Sequence, residues 1–330
     1  MIKNLQYLRA FAAINVAYLH TLIASEMYDV SASTLSGLSN SRWGASGVDI
    51  FFVISGFIMV HTQLNNPKKI LEFYFSRINR IVPIYWLISL FIIILYLILP
   101  IIFKNFTLDL KDPLDLERMV SSFFFMAQPI TGNKPIIFIG WSLEWEMLFY
   151  FIFGLSIFFQ DHKKRISFIF LSIFLVFAVT KTLFIFEFFL GVLIGYIHSK
   201  FKLNQLIGQI IFMTGSILLL LSLNSKIYNI EIDRFFIWGI PSAFIVLGAI
   251  YSRQINNSIL FYLGNASYSI YLVNVLAIPF YYKFIIYFDI KINYAFLTIL
   301  CLLFTICVGC VFHSFIEKKL KFKKKDKLIK

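Results

Sequence analysis

The stretch from Leu5 to Met27, LQYLRAFAAINVAYLHTLIASEM, decides how this chain is read. It is long enough to cross a bilayer as a helix, which takes about 20 residues, yet it carries Arg9 and His20. Eleven positions separate the two. At about 100° and 1.5 Å per residue they share one helix face, roughly 16 Å apart in depth. Arg9 then lies near one interface and His20 beyond the midplane. Ionisable side chains at such depth are costly, and they mark functional sites in membrane helices.

The rest of the chain has the same apolar character. Of its 330 residues 59% are hydrophobic and 14% charged, against about 25% charged in soluble domains. Forty phenylalanines suit lipid-facing helices. The net charge of +13 does not imply a nucleic-acid partner. Much of it lies in the lysine-rich stretch 318–330, directly after a hydrophobic segment, a pattern that anchors a cytosolic tail against membrane lipid. The three cysteines all lie in the last apolar segment. Cys307 and Cys310 form a CxxC, but no βαβ pattern surrounds it, so they read as small packing residues. The N-terminus lacks a clear cleavage site, so no cleaved signal peptide is expected.

An all-α polytopic membrane protein with about ten transmembrane helices is therefore expected, at roughly 5–27, 45–63, 81–103, 137–160, 166–180, 183–198, 206–223, 235–251, 260–283 and 294–316. The apolar segment 119–131 is too short to cross and reads as re-entrant or interfacial. With both termini cytosolic, twenty of the thirty Lys and Arg fall inside and ten outside, as the positive-inside rule requires. A full crossing by 119–131 would turn DHKKR (161–165) outward. The expected organisation is one membrane domain, 1–317, and a basic cytosolic tail, 318–330, with no appended soluble domain. Ser31–Ser41 reads as an outer loop.

Two constellations could carry chemistry. Counting depth from opposite ends of antiparallel spans brings His20 and Glu146 together in the outer half, with Asp49 slightly nearer the outer face. An imidazole beside a carboxylate is a general base with an orienting partner. On the inner side, FSRINRIVPIYW places Arg77 and Arg80 on one helix face. Paired guanidiniums suit phosphate oxygens. No metal is required by either constellation.

Together these segments resemble the bacterial membrane acyltransferase family 3, which contains O-acetyltransferases of surface polysaccharides. The resemblance spans nearly the whole chain. It rests on Arg9 and His20 with ten residues between them, on GVDIFFVISGF in the second span, on Arg77 and Arg80, on Trp141, Ser142, Leu143 and Glu146 of a WSLxxE segment, and on Ser267, Tyr268, Ser269, Tyr271 and Leu272 of a SYSxYL segment. Family members often carry a histidine just after SYSxYL, where this chain has Asn274. The closing Glu-Arg-Pro-like motif appears as Glu317-Lys318-Lys319. The resemblance implies a bacterial cytoplasmic-membrane enzyme. Its acyl donor would be a cytosolic acyl-CoA, acetyl-CoA by default, and its acceptor a hydroxyl of a sugar or glycolipid on the outer side. Arg77 and Arg80 would hold the CoA phosphates. His20 would be the base, with Arg9, Glu146 and Asp49 around it. Trp141, Ser142, Tyr268, Tyr271 and Asn274 would contact substrate, and Ser142, Tyr268 and Asn274 are candidates for the oxyanion. The competing reading is a transporter or flippase of a lipid-linked glycan, which would also bury charges but should show inverted repeats or paired broken helices.

Overall fold

Long apolar runs with few breakers give long helices, and the computed structural model of the protein is helical throughout the residues it describes, 2–30, 42–102, 114–224, 233–290 and 293–320. The elements are α1 (Lys3–Met27), α2 (Ser46–Asn65), α3 (Ile70–Ile102), α4 (Leu116–Phe123), α5 (Trp141–Ser156), α6 (His162–Thr180), α7 (Phe186–Lys200), α8 (Gln205–Leu221), α9 (Ile240–Tyr251), α10 (Ser258–Tyr287) and α11 (Tyr294–Phe312). Every expected span falls on one of these helices. Seven helical runs are long and apolar enough to cross a membrane: Lys3–Met27, Trp43–Asn65, Ile70–Leu99, Phe138–Ser156, Leu183–Lys200, Ser258–Tyr287 and Tyr294–Leu320. Gln205–Leu221 and Phe235–Tyr251 are apolar but shorter, and α6 opens on His-Lys-Lys-Arg. The expected outer loop at Ser31–Ser41 and residues 321–330 of the basic tail lie outside the described residues.

Packing is closest where small residues let backbones approach, as in other membrane bundles. A Cβ on Gly56 of α2 would stand 2.0 Å from the Phe188 carbonyl oxygen of α7, and one on Gly191 of α7 would stand 2.1 Å from that of Val53. The same device joins α1 to α10, where a Cβ on Gly264 would meet the Gln6 carbonyl oxygen at 2.1 Å. Tyr282 near the far end of α10 donates to the Thr21 carbonyl at 3.2 Å. These two helices therefore run side by side in the same direction. Outward faces carry exposed Leu175, Val179, Leu221 and Phe315, the surface a hydrocarbon solvent favours.

The short segment before α5 has a structure of its own. It breaks into α4 and a single π turn, Ala127–Thr131. Phe125 between them has φ of 60°, a left-handed conformation that costs a bulky residue energy. Its buried ring packs on Tyr85 at 4.5 Å between centroids. Arg118 donates to the carbonyls of Lys134 and Pro135 at 3.0 and 2.9 Å. The Gln128 amide donates to Glu144 Oε2 at 2.6 Å. The segment is thus tied down over the start of α5, and Arg118, read from sequence as an outer topology charge, is a buried anchor.

Candidate active site

α1, α2, α3, α5 and α10 line a partly open cavity whose surface is largely apolar but carries charged groups. Arg9, Ser55, Arg80, Ser142, Glu146, Tyr150, Ser267, Tyr268 and Tyr271 line it, among apolar side chains that include Phe51, Phe52 and Leu143. Glu146 Oε1 accepts hydrogen bonds from Ser55 at 2.5 Å and from Tyr150, one turn along α5. Arg9 donates to Gln6 at 3.3 Å. Arg77 lies beneath the cavity with its guanidinium 5.8 Å from the ring centroids of both Phe73 and Tyr150. Its Nη1 is buried without a hydrogen-bond partner among the described residues. Two arginines from α3 and one from α1 thus lie close to Glu146, with Glu317 also near Arg9, and three guanidiniums against two carboxylates leave cationic capacity for an anionic ligand.

Aromatic hydroxyls fix the cavity wall. Tyr268 donates to the Ile81 carbonyl at 2.7 Å and ties α10 to α3 beside Arg80. Tyr271 donates to the Ile139 carbonyl at 2.7 Å, so its oxygen accepts from Ser142, also at 2.7 Å.

The expected meeting of His20 with a carboxylate does not occur. His20 is half-buried and packs edge-on against Phe138, with ring centroids 5.2 Å apart. Phe138 precedes Glu146 by eight residues, so the imidazole stands about two helical turns beyond that carboxylate. The expectation took residue 137 as the outer membrane boundary. In the structure residues 138–140 form a 3-10 turn whose Ile139 and Gly140 are buried. Glu146 shares its cavity with Arg9, and His20 is not in the cavity lining. Ser142 and Tyr271 line the cavity together with Arg9 and Arg80, whereas His20 stands outside it.

Asp49 is also engaged elsewhere. Arg234 donates to both of its oxygens, Nε at 2.9 Å and Nη2 at 2.8 Å. The guanidinium sits among the rings of Trp141, Phe184 and Trp238, at 5.1, 5.5 and 5.6 Å from their centroids. Trp141, expected at an acceptor mouth, therefore walls this ion pair. Glu187 is fully buried nearby, with its side chain against Gly239. Removing one member of such a buried pair strands the other charge, which costs about 3–5 kcal/mol. Arg234→Met should therefore lower the melting temperature or the folded yield in detergent sharply. Unchanged melting of that variant would mean the pair contributes nothing to stability.

Sequence reasoning missed Arg234, which stands just before its span and was counted as a loop charge. It also missed Glu187, though a lone carboxylate inside FEFFLG of an apolar helix is itself a signal. A second buried pair closes the bundle. His313 Nδ1 and Glu317 Oε2 are 2.6 Å apart, and Ser269 donates to the same oxygen at 2.5 Å. Their i, i+4 spacing was legible. Among the described residues no group of three or more His, Cys, Asp or Glu is placed to hold a metal ion.

The fold and the cavity define a multi-pass helical membrane protein with a charged site inside its bundle. The chain belongs to the acyltransferase 3 family, whose acyltransferase domain matches residues 2–314. It is 31% identical over 259 residues to the exopolysaccharide production protein ExoZ of Rhizobium meliloti (strain 1021), covering 71% of this chain and 77% of that protein. It is 25% identical over 372 aligned positions to the O-acetyltransferase OatA of Staphylococcus aureus (strain NCTC 8325 / PS 47), covering 98% of this chain and 57% of OatA. The chain thus spans little more than half of OatA. No solved structure matches it.

Proposed function

We propose that the protein transfers an acyl group, acetyl by default, from cytosolic acyl-CoA to a hydroxyl of a cell-envelope sugar or polysaccharide intermediate on the outer side of the bacterial cytoplasmic membrane. The observation that carries this reading is the intramembrane cavity where Arg9 and Arg80 converge, with Arg77 and its unpartnered buried Nη1 just below. With both termini cytosolic, the arginine end opens inward and His20 stands toward the outer face.

In this reading Arg77 and Arg80 hold the CoA phosphates, and the extended pantetheine arm runs outward past Arg9. Glu146, held by Ser55 and Tyr150, balances the guanidiniums and keeps them in place. Displacing the contact between Ser142 and Tyr271 lets the thioester reach the level of His20. The acceptor oxygen attacks the thioester carbonyl carbon while the imidazole takes the hydroxyl proton. The C–S bond then breaks, and the CoA thiolate leaves and recovers that proton. Asp49, with Arg234, supports the wall formed by Trp141 rather than orienting His20.

Mass spectrometry of envelope glycans from cells with and without the protein tests the reading. An acetyl mass difference that depends on the protein is the expected result. Identical glycans, together with purified protein that neither binds nor consumes acetyl-CoA, would overturn it.

A further inference from the structure

Ser267, Tyr271 and Asn274 recur at i, i+4 and i+7, so they form one face of α10. Near the reacting end four side chains could donate a hydrogen bond to a developing oxyanion: Ser142, Tyr268, Tyr271 and Asn274. Three are committed within the protein. Tyr271 donates to Ile139, Ser142 to Tyr271, and Tyr268 to Ile81. Asn274 is different. It is 1% exposed, and neither its amide nitrogen nor its amide oxygen meets a partner among the described residues. Ser267 Oγ is fully buried, equally unpartnered, and part of the cavity wall. Buried polar groups in folded proteins are paired almost without exception. Ser267 and Asn274 are among several buried groups left unpartnered among the described residues, Ser89 and Ser242 included, and are set apart by sharing one face of α10 with Tyr271 of the cavity wall.

The register of α10 against α1 gives the depth. Gly264 lies on the Gln6 carbonyl and Tyr282 reaches the Thr21 carbonyl. Between these anchors Asn274 falls opposite Ile14 and Asn15 of α1, about one and a half turns before His20. Ile139, which accepts from Tyr271, directly follows the Phe138 that packs on His20.

We propose that the Asn274 side-chain N–H donates to the thioester carbonyl oxygen of the acyl donor, and that Ser267 bonds the inner amide of the pantetheine arm. This rests on the acyl-CoA reading above. The lengths agree. Seven helical residues separate Ser267 from Asn274 by about 10 Å. Eight extended bonds from the inner amide nitrogen to the thioester carbonyl carbon also span about 10 Å, at the reach of an extended backbone. When the acceptor oxygen adds to the carbonyl carbon, the π electrons move to the carbonyl oxygen, and the Asn274 N–H stabilises that charge. As the C–S bond breaks, those electrons re-form the carbonyl. Asn274 donates a hydrogen bond throughout and exchanges no proton. Ser267 acts only in binding and sets how far the thioester advances.

The test uses the full chain in membrane vesicles supplied with acetyl-CoA and the envelope glycans of the host. Asn274→Asp keeps the side-chain shape but has no N–H, and Asn274→Ala adds no charge. Each should lower kcat by about 10²–10³-fold, the usual effect of removing one oxyanion donor, with the KM for acetyl-CoA within about threefold of the parent. Ser267→Ala should do the reverse, raising that KM with kcat retained. Parent-like kcat in both Asn274 variants would overturn the proposal while leaving the acyl-CoA reading intact. So would equal losses of acetyl-CoA binding and thermal stability in all three variants, which would mark these residues as packing elements. A parent protein that does not consume acetyl-CoA would remove both.

Discussion

His20→Ala should abolish acyl transfer while the protein still inserts and accumulates. The imidazole is half-buried and its ring contact is with Phe138. No carboxylate among the described residues bonds to it, so its removal strands no buried charge and leaves folding intact. The chemistry loses its proton acceptor, an effect of about 10²–10⁴-fold for a positioned general base. Acetyl-CoA binding should persist, because the arginines proposed to hold its phosphates do not touch His20. The checking measurements are acetyl transfer in vesicles, acetyl-CoA affinity, and elution of the variant as a single species in detergent. Near-normal transfer by a well-folded His20→Ala protein would remove His20 from the mechanism.

The double variant Arg77→Gln, Arg80→Gln should lose donor affinity instead. Hydrogen bonds to charged groups contribute about 1.5–3 kcal/mol each, so losing one from each arginine should raise the Kd for acetyl-CoA at least about 10²-fold. Lysine at both positions should restore only part of it, because an ammonium lacks the planar fork. The Gln variant should hold its fold. Among the described residues Arg77 forms no ion pair within 4 Å, and its contacts with Phe73 and Tyr150 leave Nη1 unpartnered. An unchanged affinity for CoA would return both arginines to the role of positive-inside anchors. His20 and the arginine pair should therefore separate cleanly, the first in kcat and the second in donor binding.

The helices were legible because membrane spans announce themselves by length and apolarity, and seven of the ten expected spans fall on helical runs long and apolar enough to cross, among the described residues. Part of the site was legible too. Arg9, Arg80, Glu146, Tyr268, Tyr271 and Ser142, singled out as residues at unusual depth or in family motifs, line one cavity. What could not be read was which residue faces which. Counting along a helix fixes depth only relative to where that helix enters the membrane. In the structure Glu146 joined Arg9 rather than His20. Partner choice was hidden for the same reason. Asp49 in isolation resembles a catalytic carboxylate. Its Arg234 is 185 positions away in sequence and was counted as a loop charge. Asn274 showed only that a histidine was missing. The structure adds that its amide meets no partner among the described residues.

The side-by-side seating of α1 and α10 has a consequence for how the protein is made. α1 has its longest seam with α10, a helix that begins only at Ser258. The contacts at its root, Lys3 with Asn256, Asn4 with the Arg253 carbonyl and Tyr7 with the Ile255 carbonyl, all cross about 250 positions of chain. At about 5–20 residues per second, that partner emerges on the order of 10–50 seconds later. Through that interval Arg9 waits among lipid or insertion machinery without the wall that shelters it. The cavity therefore closes, and Arg9 gains its wall, only once α10 slots in beside a helix made long before it.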